Sequence, residues 1–278
     1  MQLINPNIEL ELEDEQDDSE YLQSENPEIV CWGDSMTAGT GVSDAVIETE
    51  NTYFDASGLS YPEILEQLTG YKTYNYGVGG ATSEEIAVMQ GGLFTELDLD
   101  EYEHINSDIM TESKEHKGDI LILEIGSNGG WNGEYETLIE QYKAMLSYSG
   151  CDKYIIIGDT DDPINSVDDM VSERAQLNKK EKKKDRNKDG NKAKNIETSW
   201  ETALRLEFGD HFINMRNFLI ENGLDIAGLE KTKKDERQQK RGNISKQLRS
   251  DWTHFNSYGY YAKAVGVYQK GQELGYWK

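Results

Sequence analysis

The sequence predicts an α/β fold, a three-layer α/β/α sandwich in which a five-stranded parallel sheet lies between helices. Three observations predict it. Five short apolar runs recur along the chain, helix-like stretches separate them, and the runs are continuously apolar rather than alternating. A strand covered on both faces needs apolar residues at every position, whereas a half-exposed strand alternates. Strand–helix alternation of this kind gives a parallel sheet with helices on both sides.

The apolar runs fall at 28–32, 72–76, 119–125, 153–158 and 211–215. Helices are expected at 61–68, 83–89, 135–148, 198–207 and 257–273. Within 135–148, Leu138, Tyr142, Met145 and Leu146 recur at helical spacing and mark the face turned to a sheet. No internal repeat and no linker rich in Pro, Gly or Ser divides the chain. The expected organisation is one domain over 27–278, with inserts at about 160–197 and 216–250, behind an acidic extension at 1–26.

The 278 residues carry 28 Lys and Arg against 53 Asp and Glu, a formal charge of −25. Phosphate backbones repel so anionic a surface, which argues against general nucleic-acid binding. No stretch approaches the roughly 18–20 uncharged apolar residues of a membrane span. The first residues lack the basic-then-apolar layout of a signal peptide. Cys31 sits in an apolar run and Cys151 just before one, and both read as buried thiols rather than a disulfide scaffold. Low cysteine use and the acidic start fit an exported, surface-attached bacterial protein, and they fit the cytoplasm too.

In open parallel sheets, ligands bind beyond the carboxyl ends of the strands. The residues just after each predicted strand are therefore the informative ones. Gly33-Asp-Ser35 comes after the first, placing a serine where strand hands over to helix; that serine either caps the helix or presents a nucleophile. Gly77-Val-Gly-Gly80-Ala-Thr82-Ser83 comes after the second. It lacks the third glycine of a dinucleotide fingerprint and suits a loop whose N–H groups approach an oxyanion. Gly126-Ser-Asn128-Gly129-Gly130-Trp131 comes after the third, where Asn128 is either a turn residue or a donor to a developing negative oxygen. Before the last helix stands Asp251-Trp252-Thr-His254-Phe255. Of four histidines, His104 and His116 lie in charged, surface-like surroundings, and His211 opens a strand. His254 has a carboxylate three positions earlier in a short loop, a spacing that brings Asp251 onto one ring nitrogen while the other faces a serine.

In order and spacing, across roughly residues 28–270, these four segments resemble the sequence blocks of the SGNH hydrolases, the GDSL esterase/lipase superfamily. The resemblance implies a flavodoxin-like sheet and an ester-hydrolysing enzyme that needs neither metal nor organic cofactor. It implies Ser35 as nucleophile, His254 as general base, Asp251 as its orienting carboxylate, and an oxyanion hole made by the N–H groups of Ser35 and Gly80 with the side chain of Asn128. Three positions depart from the family pattern. Met36 replaces a leucine at equal volume. Gly129 replaces an aspartate and is expected to loosen its loop. Phe255 replaces a proline and is expected to line the pocket.

Trp131, Trp252, Tyr53 and Phe54 are the other expected pocket walls. Aromatic faces suit sugar rings, and the resemblance implies a superfamily in which several relatives deacetylate carbohydrates, so acetyl groups on carbohydrate or cell-surface polymers lead as substrate, ahead of lipids or lysophospholipids. A non-catalytic glycan-binding protein on the same fold is the rival from another class. Most cations concentrate in the two inserts, which would form a basic lid favouring an anionic substrate. Residues 185–191 begin like a calcium loop, but Ile196 stands where the bidentate glutamate belongs. No metal is assigned there, nor to the acidic turn of Asp159, Asp161 and Asp162.

Overall fold

The computed structural model describes residues 27–96, 98–160 and 197–277. Its main sheet has five parallel strands: β1 (Ile29–Gly33), β4 (Thr73–Gly77), β5 (Ile120–Glu124), β6 (Lys153–Ile157) and β7 (Phe212–Ile213). They run in the spatial order β4-β1-β5-β6-β7. The register pairs Gly33 with Gly77 on one side and with Glu124 on the other, so three strand ends finish level. A separate antiparallel pair, β2 (Val46–Glu48) with β3 (Tyr53–Asp55), lies outside this sheet.

The pleat explains the continuous apolar runs. Ile29, Cys31, Ile120, Ile122, Ile155 and Ile157 bury on one face, while Val30, Trp32, Leu121, Leu123 and Ile156 bury on the other. The first face is covered by α2 (Tyr61–Thr69), α7 (Met215–Ile226) and α9 (Ser257–Glu273). The second is covered by α3 (Ser83–Gln90), α5 (Tyr135–Ser149) and α6 (Ser199–Phe208), with α4 (Ser107–Glu115) against α3. Two short helices complete the set, α1 (Ser35–Ala38) after β1 and α8 (Lys233–Gln239) before a 3₁₀ turn at Lys246–Leu248.

The expected inserts fare differently. Residues 161–196, with the calcium-like stretch, lie outside the described residues. The segment 216–250 is not simply a lid. Met215, Leu219, Ile220 and Leu224 recur at helical spacing and bury in the sheet's own core, which makes α7 a layer helix. The next loop and α8 project from it. No described helix is long and apolar enough to cross a membrane.

Candidate active site

Strand order puts β1 between β4 and β5, so the chain winds one way from β1 to β4 and then back past β1 to β5. Such a reversal of winding opens a crevice at the carboxyl edge. Glycine is required at Gly33, where a Cβ would meet Thr37 Oγ1 at 2.1 Å. Asp34 then caps α1, its Oδ1 accepting the Met36 N–H at 2.9 Å. Ser35 is the first helical residue, and its Oγ lies 3.0 Å from His254 Nε2. His254 Nδ1 lies 2.8 Å from Asp251 Oδ2. Hydroxyl, imidazole and carboxylate thus form one continuous chain between residues 219 apart in sequence.

The loop carrying the imidazole is held on several sides. Arg249 and Phe255 close it as an antiparallel bridge, and the Ser250 N–H donates to the His254 carbonyl at 3.0 Å. Asp251 Oδ1 accepts the N–H groups of Thr253 (2.8 Å) and His254 (2.7 Å), so the carboxylate organises the loop and aims the ring. Desolvation works to raise the Asp251 carboxyl, but the hydrogen bonds from the His254 ring and from both N–H groups together hold it below the ordinary aspartate value. It stays ionised beside the imidazole.

Two loops face the hydroxyl. In the first, a Cβ on Gly79 would come within 3.9 Å of Ser35 Cβ, and Gly80 adopts φ +80°, a conformation that favours glycine. Among the described residues, neither the Ser35 nor the Gly80 N–H donates a hydrogen bond to the protein. In the second, Asn128 is exposed, and its Nδ2 donates to the Ala81 carbonyl (3.2 Å) and to Asp34 Oδ2 (3.4 Å). That contact fixes which side of the amide bears the donors. The glycine at 129 does not loosen this loop. Its carbonyl accepts both the N–H and the hydroxyl of Ser83 (3.0 and 2.9 Å), and Gln141 Nε2 donates to the Gly130 carbonyl at 2.7 Å.

Three of the expected walls need correction. Trp131 is buried, its Nε1 donating to the Gly126 carbonyl at 2.9 Å and its ring between Tyr135 and Trp200, so it props the Asn128 loop from beneath. Phe255 is fully buried, edge-on to Tyr260 with Arg249 over its ring. Phe54 packs against Tyr261 at the rim of the core. Trp252 and Tyr53 remain 51% and 75% exposed. The thiols also divide: Cys31 is wholly buried, and Cys151 is only partly so.

Two features beside the site are not foreshadowed by the sequence. His104 is not simply surface: its Nε2 lies 2.6 Å from where a Cβ on Gly80 would sit, and its Nδ1 and N–H both contact the buried carboxylate of Glu85. Glu85 is also the third residue of α3, closing a capping box with Thr82. An acidic residue three places after a cap is visible in the sequence; its histidine partner nineteen positions on is not. Under Ser35, the fully buried Lys263 ammonium contacts Glu124 and sits over the Tyr61 ring, and Thr37 Oγ1 donates to the same carboxylate at 3.4 Å. Desolvation first, then the Glu124 charge, pushes the adjacent Asp34 carboxyl up to about 7. Among the described residues no cluster of His, Cys, Asp and Glu is arranged to hold a metal.

The doubly wound sheet, with a hydroxyl–imidazole–carboxylate chain at its carboxyl edge, defines a class: α/β/α hydrolases of the serine type. The profile of the GDSL-like lipase/acylhydrolase family matches residues 29–264, and the chain belongs to that family. It is an ester-bond hydrolase. Among solved structures it is similar to a lipolytic protein of the G-D-S-L family from Desulfitobacterium hafniense (14% identity, 88% of this chain and 99% of that one, TM-score 0.49). It is similar too to a GDSL-like lipase from Bacteroides ovatus (15% identity, 91% and 55%, TM-score 0.47). A G-D-S-L family member from Veillonella parvula resembles it at 16% identity (87% and 96%, TM-score 0.43). No curated protein matches the sequence.

Proposed function

We propose that the chain hydrolyses carboxylic esters through an acyl-enzyme on Ser35, acting on small acyl groups, acetyl above all, carried by carbohydrate or cell-surface polymers. The observation that carries this reading is the 3.0 Å and 2.8 Å chain from Ser35 Oγ through His254 to Asp251. His254 Nε2 takes the hydroxyl proton as Oγ attacks the ester carbonyl, and the imidazolium that forms is stabilised by the ionised Asp251. The carbonyl oxygen, now negative, receives hydrogen bonds from the N–H groups of Ser35 and Gly80 and from Asn128 Nδ2, one N–H of which leaves its longer, 3.4 Å contact with Asp34 to reach it. His254 then protonates the leaving alcohol, and water repeats the sequence to release the acid.

The substrate class rests on Trp252, half exposed two positions before His254 and free to lay a ring face against a sugar. An anionic polymer is favoured over a neutral one because the segment 231–249 holds eight Lys and Arg against two Asp and Glu on a body of the opposite sign. The deciding experiment is hydrolysis of p-nitrophenyl acetate by the parent chain and by Ser35→Ala, then a panel of acetylated sugars and acyl-chain lengths. The parent is expected to turn over acetate and the variant to lose turnover while keeping its fold. Equal rates for the two would remove Ser35 from the mechanism.

A further inference from the structure

The cations of segment 231–249 are arranged, not scattered. Lys234, Arg237, Arg241 and Lys246 line a cleft of about 650 Å³ between α8 and the Lys246–Leu248 turn. All four are exposed, and none forms an ion pair among the described residues. Among the described residues Asp235 is the one carboxylate lining the cleft, and it is buried and occupied. It accepts the Thr232 N–H and the Gln247 amide, each at 2.8 Å, and the hydroxyls of Thr232 and Ser245. Its oxygens are therefore committed to fastening α8 to the turn, and four cations outweigh its single charge. The other acid of the helix, Glu236, does not line the cleft.

The seat beneath these cations is fixed. Gln239, nearly buried, donates to the Ile220 carbonyl at 2.7 Å. Buried Arg216, held by Glu201, donates to the Gly242 carbonyl at 2.9 Å and pins the loop that carries Arg241. A solvated lysine-rich loop has no need of such anchoring, whereas a charged recognition surface does. The floor of the cleft also runs directly into the His254 loop. Gln247 receives the Asn256 amide on its carbonyl at 2.8 Å, and Arg249 donates to the Thr253 carbonyl.

We propose that this cleft is a binding site for a polyanionic chain carrying repeated carboxylate or phosphate groups, and that it seats the polymer whose ester enters at Ser35. Binding in the cleft stands on the cations alone; that the bound chain is also the substrate rests on the esterase reading above. Two guanidinium forks and two ammonium groups in one concavity grip successive anions, the forks in bidentate fashion.

The test separates the two parts. Ser35→Ala protein, which cannot consume a ligand, is titrated with oligogalacturonate, with inorganic polyphosphate and with a neutral xylo-oligosaccharide at low and high salt. At least one polyanion is expected to bind, with affinity falling as salt rises, and the neutral chain is not. The better polyanion identifies the anionic group. Arg237→Gln/Arg241→Gln is expected to weaken that binding roughly tenfold, the equivalent of about 1.4 kcal/mol, while p-nitrophenyl acetate turnover in the Ser35 background stays at the parental rate. Lys234→Gln/Lys246→Gln, on other positions around the cleft, is expected to weaken it likewise. Failure of both polyanions to bind, or binding unchanged in both double variants, overturns the proposal. Intact polyanion binding by a parent chain that hydrolyses no ester upholds the cleft and overturns the esterase reading instead.

Discussion

Asp34 shows how much one residue beside the proposed nucleophile can be asked to do. It caps the helix that presents Ser35, receives the amide of Asn128, and is buried next to a second carboxylate, Glu124. Its carboxyl is raised from 3.8 to about 7, by desolvation first and by Glu124 second. A carboxyl raised on folding takes up protons as the chain folds. Its contribution to stability is therefore complete below the unfolded value and is lost as pH rises through about 7. Asp34→Asn keeps a competent cap and removes that titration. Urea unfolding at pH 5 and pH 8 is expected to show the variant gaining on the parent at the higher pH; a gap that stays constant would free Asp34 of the effect. Asp251 has the opposite sign, since its lowered carboxyl adds stability above the ordinary aspartate range that vanishes as pH falls through it. At the oxyanion side, Asn128→Ala is expected to reduce kcat by about 10²–10³ with little change in unfolding free energy, because the amide is exposed and its loop is held by Ser83 and Gln141. These polar residues were legible in sequence because short loops at strand ends give a Ser, an Asn or an Asp-x-x-His pair few places to go. Trp131 and Phe255 were not, because an aromatic next to a catalytic motif becomes wall or core according to which way the loop turns.

The element that ties the glycine loop to the rest of the molecule is the start of α3. Thr82 and Glu85 close the capping box, Glu85 reaches on to His104, and the His104 ring packs where Gly80 lacks a side chain. Gly80→Ala meets two obstacles at once. The residue is held at φ +80°, which costs an L-residue about 1–2 kcal/mol, and the new Cβ overlaps the imidazole. Unfolding free energy and kcat are both expected to fall, and His104→Ala in the same chain is expected to return the steric part of the stability but not the conformational part. A double variant no more stable than Gly80→Ala alone would show that His104 is not what fills that space. At this scale the sequence was informative in proportion to element length. The sheet strands and five of the helices declare themselves by runs or periodicity. The pair β2 and β3 offers three residues each, with Val46 and Tyr53 exposed, too little for either pattern. The layer helix α7 was hidden because its polar positions and its Gly223, which fits closely beneath Leu248, dilute the periodic face.

On the scale of the whole molecule, the site is made by joining the two ends of the described chain. Tyr260 of α9 donates to the Thr40 carbonyl at 2.7 Å, and Ser257 exchanges hydrogen bonds with Ser43, which brings the last helix onto the loop behind Ser35. The central fastening is Lys263, wholly buried on α9 and paired with Glu124 at the end of β5. A lysine in the middle of a helix reads as surface in sequence, and a glutamate at the end of an apolar strand reads as its boundary; only the topology puts one over the other. Removing the cation by Lys263→Met leaves Glu124 and Asp34 as neighbouring buried carboxylates with no counter-charge between them. Breaking one side of such a pair costs about 3–5 kcal/mol, whereas replacing both sides by uncharged groups is far milder. Lys263→Met is therefore expected to lose stability of that order, and Glu124→Gln/Lys263→Met to recover most of it. The pair also sets the titration above it. Glu124 raises the Asp34 carboxyl more than Lys263 lowers it, so in the double variant the pH-dependent loss of stability should be smaller and end at a lower pH than in the parent. Urea unfolding across pH 4 to 8 reads both effects in one series. A Lys263→Met chain as stable as the parent would mean that the ends of the molecule are joined by packing and backbone hydrogen bonds alone.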